Sequence, residues 1–475
     1  MSTTDDRPPV TGHDLIGWGH RPGPGFDTLL ARANAARAEG RGLLAIRDML
    51  AADLPPPPPP TLDLRAPGTV PFSVTLEAET PDEETNLAAV RATMTELMRT
   101  PTLEAGAVMP DACPAGAPGT IPVGGVAAAR NAIHPGMHSA DICCSVMLSD
   151  LGRADPKAVL DAVHAATHFG PGGRAEGRRL DPGPEMIDAF RANRFLAEEK
   201  AVFMATSHLA TQGDGNHFAY VGRSEATGRT VLVTHHGSRG PGARLYRNGM
   251  TVAEGFRRAL SPDTLKQNAW IPADSDEGRA YWDALQIIRR WTRANHTAIH
   301  DRAAAALGVE PLDRFWNEHN FVFERDGLYY HGKGATPAWA GFAGDARAET
   351  LIPLNMAEPI LVVRGRDAPH ALGFSPHGAG RNVSRSEHRR RQGGRSAEAI
   401  MAAETQGLDI RFWSGRIDVS ELPSSYKNAA AVTAQIERHR LATIADRIQP
   451  YGCLMAGDMP APWERRRKAP RPGPT

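Results

Sequence analysis

Cysteine is scarce in this chain: 475 residues carry four, Cys113, Cys143, Cys144 and Cys453. Two of them are neighbours, a pair that rarely closes a disulfide. A disulfide-stapled scaffold is therefore not expected, and a reducing, cytoplasmic setting with thiols free for metal or catalysis is. An excess of one charge is missing too. Lys plus Arg equals Asp plus Glu at 54 each, so any preference for anions must come from local patches. No apolar run approaches a membrane span, and the opening "MSTTDDRPPV" lacks the basic start and apolar core of a signal peptide. No repeat of fixed period runs along the chain. What remains is 41% hydrophobic and 23% charged residues, ordinary for a globular protein long enough for two or three units or one elaborated domain.

Residues 26–54 read as amphipathic helix interrupted near Gly40 and Gly42, followed by the uninterrupted run Pro55–Pro60, a stiff spacer. The expected organisation is an N-terminal extension at 1–60, a main domain at 61–457 and a basic, disordered tail at 458–475. "TVPFSVTLEAE" has strand character and "ETNLAAVRATMTELMR" helical periodicity. Beyond Val108, apolar β-like runs end in loops rich in glycine and histidine. Helical stretches such as "EGRAYWDALQIIRRWTRANHTAIHDRAAAAL" separate them. The mixture lacks the strict alternation of a doubly wound sheet, so an α+β class is expected.

Five short stretches place metal-capable or phosphate-capable side chains beside glycine. They are "HSADICCSVM" with Asp141 and Cys144, "GDGNHF" with Asn216 and His217, "VTHHGSRG" with His235, His236 and Arg239, "NEHNFVF" with His319 and Asn320, and "SPHGAGRNVSRS" with His377, Arg381 and Arg385. Singly, each has a plain reading as a satisfied polar residue, a small buried hydrophobe or a surface arginine. His134 and His138 of "HPGMH" show histidines without an obvious partner. Recurrence carries the case: five such loops, all following β-like runs, suggest convergence at one edge of a sheet. Asp141, Cys144, His217, His235 and His319 are too many for one four-coordinate structural site, and no tight Cys-x-x-Cys pair is present. Dispersed O, S and N donors suit one or two catalytic divalent ions, with a thiolate able to bridge them. The thiolate leans the metal toward zinc, with manganese second. Arg239, Arg381, Arg385 and the glycines point to a phosphate-bearing substrate. The reading is metal-assisted phosphoryl or nucleotidyl transfer.

Taken in order, these motifs resemble the RtcB-type RNA ligases. "VMPDACPAGAPGTIPVGGV", "ADICCSVM", "GDGNHF", "HHGSRG", "EHNFV", "KGATPA", "SPHGAGRNVSR" and "ELPSSYKN" match that family's pattern over about residues 105–457. The resemblance implies a large mixed fold with a metal-binding cleft lined by strand-end loops. It implies an enzyme that joins RNA 3′-phosphate or 2′,3′-cyclic phosphate ends to 5′-hydroxyl ends, as in RNA repair and tRNA splicing. Two manganese ions would be bridged by Cys144, with Asp141 and His217 at one and His235 and His319 at the other. His377 would attack GTP and carry GMP. Asn216, Asn320, Pro353, Met356, Gly378, Ala379 and Gly380 match nucleotide-side positions, and Arg239 and Arg381 match arginines that hold phosphates. The chain departs from the pattern elsewhere. Leu354 and Asn355 replace the glycine and serine of P-G-S-M, and Ile360 a serine. Ala456 replaces a lysine that contacts guanine, Cys113 a histidine and His236 a serine. The metal donors and His377 are thus retained while much of the guanine-facing surface is altered. Two other readings follow: a metal-dependent phosphodiesterase or nucleotidyl transferase that does not ligate, and a non-catalytic RNA-end-binding protein using the basic tail and "HRRRQGGR" (388–395).

Overall fold

Hydrophobic period and turn chemistry lay out the elements, and the computed structural model describes them for residues 8–23, 25–54, 61–342 and 347–459. The run Pro55–Pro60 and most of the stretch read as a basic tail lie outside the described residues. By its internal contacts the chain divides into residues 1–60 and 61–475. In the first unit, helices Gly12–Gly17, Phe26–Ala38 and Leu43–Leu50 bury Leu15, Ala33, Ala36, Ile46 and Leu50 against one another. Thr11 and Asp14 form a capping box on the first helix. The expected break falls at Gly40, whose backbone is left-handed at φ 88°.

The second unit is a mixed α/β fold around two large sheets. One sheet runs in the order Glu349–Pro353, Ile360–Gly365, Ala442–Met455, Phe218–Ser224, Thr230–His236, Ser145–Asp150 and Asp313–Glu318, antiparallel along that path. The short strand Asp409–Phe412 joins Ala442–Met455 in parallel. The other sheet orders Phe72–Val74, Leu103–Cys113, Val123–Arg130, Leu328–Lys333 and Asn320–Arg325. The chain passes from one sheet to the other between Asp313–Glu318 and Asn320–Arg325, and the single residue at that passage is His319.

The longest helix, Asp276–Leu307, starts where the Ser275 side chain accepts the Gly278 N–H, and stops at Gly308 in a left-handed turn. Tyr281, Leu285, Ile288, Trp291, Asn295, Ile299 and Ala303 recur at three- and four-residue steps and are buried. Tyr281, Leu285, Ile288 and Trp291 pack on the principal core with Phe321, Phe323 and Phe374, while Ile299 and Ala303 pack in a second cluster with Val159, Leu160 and Val163. Asn295, His296 and His300 carry a polar chain beneath the sheet. His296 Nδ1 and His300 Nε2 both lie within 2.8 Å of Thr234 Oγ1, and His296 Nε2 is 3.1 Å from Ser145 Oγ, one residue from Cys144. Among the described residues no helix is long and apolar enough to cross a membrane.

Candidate metal centre and adjoining cavity

Antiparallel pairing assembles the site. His235 stands opposite both Phe218 and Val146, and Ser145 opposite both His236 and Glu318. His217 and Cys144 each immediately precede a strand, His235 is the last residue but one of another, and His319 links two. The expectation that every loop follows a β-run is therefore corrected. In an antiparallel sheet, the starts of some strands share an edge with the ends of others, so donors before and after strands meet at one rim. The Ser145–Asp150 strand is entered through Cys143, a non-glycine residue at φ 59° whose N–H donates to the Asn320 carbonyl at 2.7 Å. Gly237 has no Cβ because one there would collide with Asp141 Oδ1.

Two groups of donors result, Cys144–His235–His319 and Asp141–Cys144–His217, with Cys144 common to both. Cys144 Sγ lies 3.1 Å from His235 Nε2 and 3.6 Å from His217 Nε2. His235 Nε2 is 3.2 Å from His319 Nε2, and His217 Nε2 is 3.2 Å from Asp141 Oδ2. Two nitrogen ligands about 2.1 Å from one ion stand about 3.0–3.4 Å apart, so these spacings fit shared coordination. His235 Nδ1 donates to the Asn216 carbonyl at 3.1 Å, which leaves its Nε2 lone pair facing the sulfur.

Burial, with positive neighbours adding to it, lowers His235 to about 3 and His319 well below the usual imidazole range, so both imidazoles are neutral. Burial alone would raise Asp141, but the charge and hydrogen bond of His217 outweigh it and hold the carboxyl at about 2. Burial and then the Asp141 charge push the Cys144 thiol far up, so only a cation at the sulfur can draw off its proton. The donor set is compatible with divalent metal.

A cavity of about 970 Å³ opens beside this centre, at the upper end of the range that takes small-molecule ligands. His235, Asn216, Pro353, Met356, His377, Gly378, Ala379, Gly380 and Arg381 line it, so most of the sequence-predicted nucleotide-side residues meet there. The His377 ring sits 4.9 Å from that of His319. Its Nδ1 lies 2.6 Å from Asp111 Oδ2, and the same oxygen accepts the His377 and Gly378 N–H groups at 3.2 Å each. Asp111 is completely buried. Gly380, at φ 64°, passes so close to the Asp111 carbonyl that a Cβ would not fit.

Asn320 does not line the cavity. It accepts the Gly334 N–H at 2.7 Å and donates to the Asp141 carbonyl at 3.3 Å, tying two loops of the site together. Arg239 does not line it either: its guanidinium donates to the Gly170 and Gly172 carbonyls and to Thr211 Oγ1. Arg381 does, but its charge meets Glu421 at 2.7 Å, and the other oxygen of Glu421 accepts from Arg385 at 2.8 Å. Residues that sequence reasoning passed over are Asp111, Glu421, Tyr426 and Lys427. All four stand inside stretches singled out above, "VMPDACPAG" and "ELPSSYKN", but nothing local pairs Asp111 with a histidine 266 positions away. His134 and His138 do have partners. His134 bonds the Asn268 carbonyl and Thr102, and His138 bonds the Tyr281 hydroxyl.

Fold and site together define a mixed α/β protein with a Cys/His/Asp centre compatible with divalent metal, opening on a cavity headed by a histidine. The family described as tRNA-splicing ligase RtcB matches residues 185–456, more than half of the chain, and the chain belongs to that family. His217, His235, His319 and His377 fall inside the matched span, while Asp111, Asp141 and Cys144 precede it. The chain is 27% identical over 326 residues to the tRNA-splicing ligase RtcB of Thermococcus kodakarensis, covering 60% of this chain and 64% of that protein. It thus spans slightly less than two thirds of that relative. Identity to the RNA-splicing ligase RtcB of Mycobacterium tuberculosis is 26% over 410 residues, 70% of this chain and 93% of the relative. The tRNA-splicing ligase RtcB of Archaeoglobus fulgidus is 25% identical over 413 residues, 70% and 84% of the two chains.

Proposed function

We propose that this chain is a metal-dependent RNA ligase, activated by a nucleoside triphosphate, that joins RNA 3′-phosphate or 2′,3′-cyclic phosphate ends to 5′-hydroxyl ends. The observation that carries the reading is the Asp111–His377 pair beside two donor groups that share Cys144. Family membership and relatives named as RNA-splicing ligases support it.

Asp111 accepts the Nδ1 proton of His377, so the nitrogen left with a lone pair is Nε2. That nitrogen attacks the α-phosphorus of the nucleotide, the bond to the β-phosphate breaks, and pyrophosphate leaves. Asp111 steadies the charge that develops on the ring. A 2′,3′-cyclic end is first opened by water, which breaks the bond to O2′ and leaves a 3′-phosphate; the nucleotidyl group then passes from His377 to a 3′-phosphate oxygen, and a 5′-hydroxyl displaces the nucleoside monophosphate as the strand closes. Asp141, Cys144, His217, His235 and His319 would hold one or two divalent ions, manganese or zinc, which when bound neutralise phosphate charge and improve the leaving group. Arg381 is poised to take up phosphate oxygens if Glu421 shares it.

The test is incubation with manganese and α-labelled nucleoside triphosphates. An acid-labile, base-stable adduct in the native chain, gone in His377→Ala, is expected. If no nucleotide labels the protein, the proposal falls. Hydrolysis of a 2′,3′-cyclic end without a joined product would point instead to a phosphodiesterase, the reading that the changed Leu354–Asn355 loop favours.

A further inference from the structure

The wall of the cavity nearest the metal donors is apolar. Phe218, Tyr220, Met356, Ile360, Cys453 and Met455 all line it, and they belong to one contiguous packed cluster. The Phe218 ring lies 5.2 Å from that of His235, which fixes this wall beside the donor groups. The polar side of the cavity is elsewhere, at Arg381, Ser384, Arg385 and Arg389. A nucleotide with its α-phosphate at His377 and its phosphates toward the donor groups has this apolar wall available for its base.

The polar groups on the wall are already committed. The Tyr220 hydroxyl donates to the Ile448 carbonyl at 2.8 Å. Asn355 Oδ1 accepts the Ala357 N–H at 2.9 Å, and the NH₂ end of that amide remains to donate. Burial keeps the Cys453 thiol protonated and neutral. Glu421 is the one carboxylate lining the cavity among the described residues, and both its oxygens are held by arginines. No carboxylate is therefore left free in the lining to meet a pair of adjacent N–H donors with two oxygens; the amides of Asn86 and Asn216 offer one acceptor oxygen each.

A guanine edge carries an N1–H and an N2 amino group as neighbouring donors, with O6 as acceptor. On the corresponding edge adenine carries one amino group and one acceptor, N1, and the Asn355 amide N–H can meet that acceptor. Each polar group buried without a partner forfeits at least about fivefold in affinity. The residues present therefore do not fit guanine, the base that the family resemblance implies. We infer that the cavity selects an adenine nucleotide over a guanine nucleotide, by apolar contact with the base and a smaller desolvation penalty; this rests on the reading of His377 as the group that takes up nucleotide.

The experiment is a competition on the full chain with manganese and equal concentrations of ATP and GTP, labelled at the α-phosphate in separate arms. The expected result is a His377 adduct formed at least about fivefold more from ATP. Equal labelling, or more from GTP, overturns the inference while leaving the nucleophile intact. If neither labels, the nucleophile reading fails by itself, and the base preference is read from equilibrium titration of unlabelled ATP and GTP in the presence of manganese. Tighter ATP binding then supports the inference, and equal or tighter GTP binding overturns it.

Discussion

As the proposed nucleophile, His377 depends on how it is held: one oxygen of Asp111 meets its Nδ1 and accepts the backbone N–H groups of His377 and Gly378. Asp111→Asn keeps the shape but exchanges an acceptor for an amide that can donate to Nδ1, turning the imidazole to the wrong tautomer. Adduct formation should fall by about 10²–10⁴-fold, while divalent-metal binding measured on the same variant stays near that of the native chain. A parallel loss of metal would instead mean that Asp111 supports the whole loop. Cys144 is the opposite case. It touches both donor groups, so Cys144→Ser should weaken manganese or zinc retention by more than the 10–100-fold typical of losing a supporting partner. Equilibrium dialysis reads this directly; unchanged retention would rule out a shared sulfur ligand.

Between elements, the decisive tie is Glu421. It lies at the end of the short 3-10 turn Val419–Glu421 and is 1% exposed. From there it binds Arg381 of the glycine loop and Arg385 at the first turn of helix Arg385–Arg391. Arg381 also stacks on Tyr426, its guanidinium carbon 4.6 Å from the ring centre. Glu421→Gln leaves the mostly buried Arg381 guanidinium uncompensated and should destabilise the fold by up to about 3 kcal/mol, read as a drop in the urea midpoint. Adding Arg385→Gln should recover only part of the loss, because Arg385 is half exposed and Arg381 is not. The same helix weakens the reading of "HRRRQGGR" as an RNA footprint. Arg389 pairs with Asp418, while Arg390 and Arg391 pair with Glu387, and Arg391 also with Asp82. Much of its charge is answered within the chain.

Across the whole molecule the unusual feature is how many histidines are buried neutral outside the candidate metal centre. Burial lowers His134, His138 and His208 to about 4 each, and His236, His296, His300 and His331 lie well below the usual range for the same reason. Their folded values lie below the unfolded value near 6.5, so between about pH 4 and 6.5 the unfolded chain binds more protons. Stability is therefore full above pH 6.5 and is lost as pH falls through that window. Urea midpoints for the metal-free chain should drop steadily from pH 7 to pH 5, before most carboxylates titrate. A flat profile over that range would mean that these imidazoles are hydrated.

The sequence by itself determined the periodic elements and the chemical types at the site. The stripe from Tyr281 to Ala303 and the break at Gly40 are local facts, written in spacing and turn residues. The motif loops carried Asp141, Cys144, His217, His235, His319 and His377 in plain view. Tertiary structure alone decided which of these face one another. Strand register sets His235 opposite Phe218, and the passage between sheets fixes His319. Pairing across 266 positions gives His377 its carboxylate. It also decided that Arg239 holds loop carbonyls rather than lining the cavity, and that the wall beside His235 is apolar. The physical reason is the same in each case. Propensity and spacing act within a few residues, whereas donor geometry, desolvation and charge compensation depend on neighbours that only the folded chain supplies.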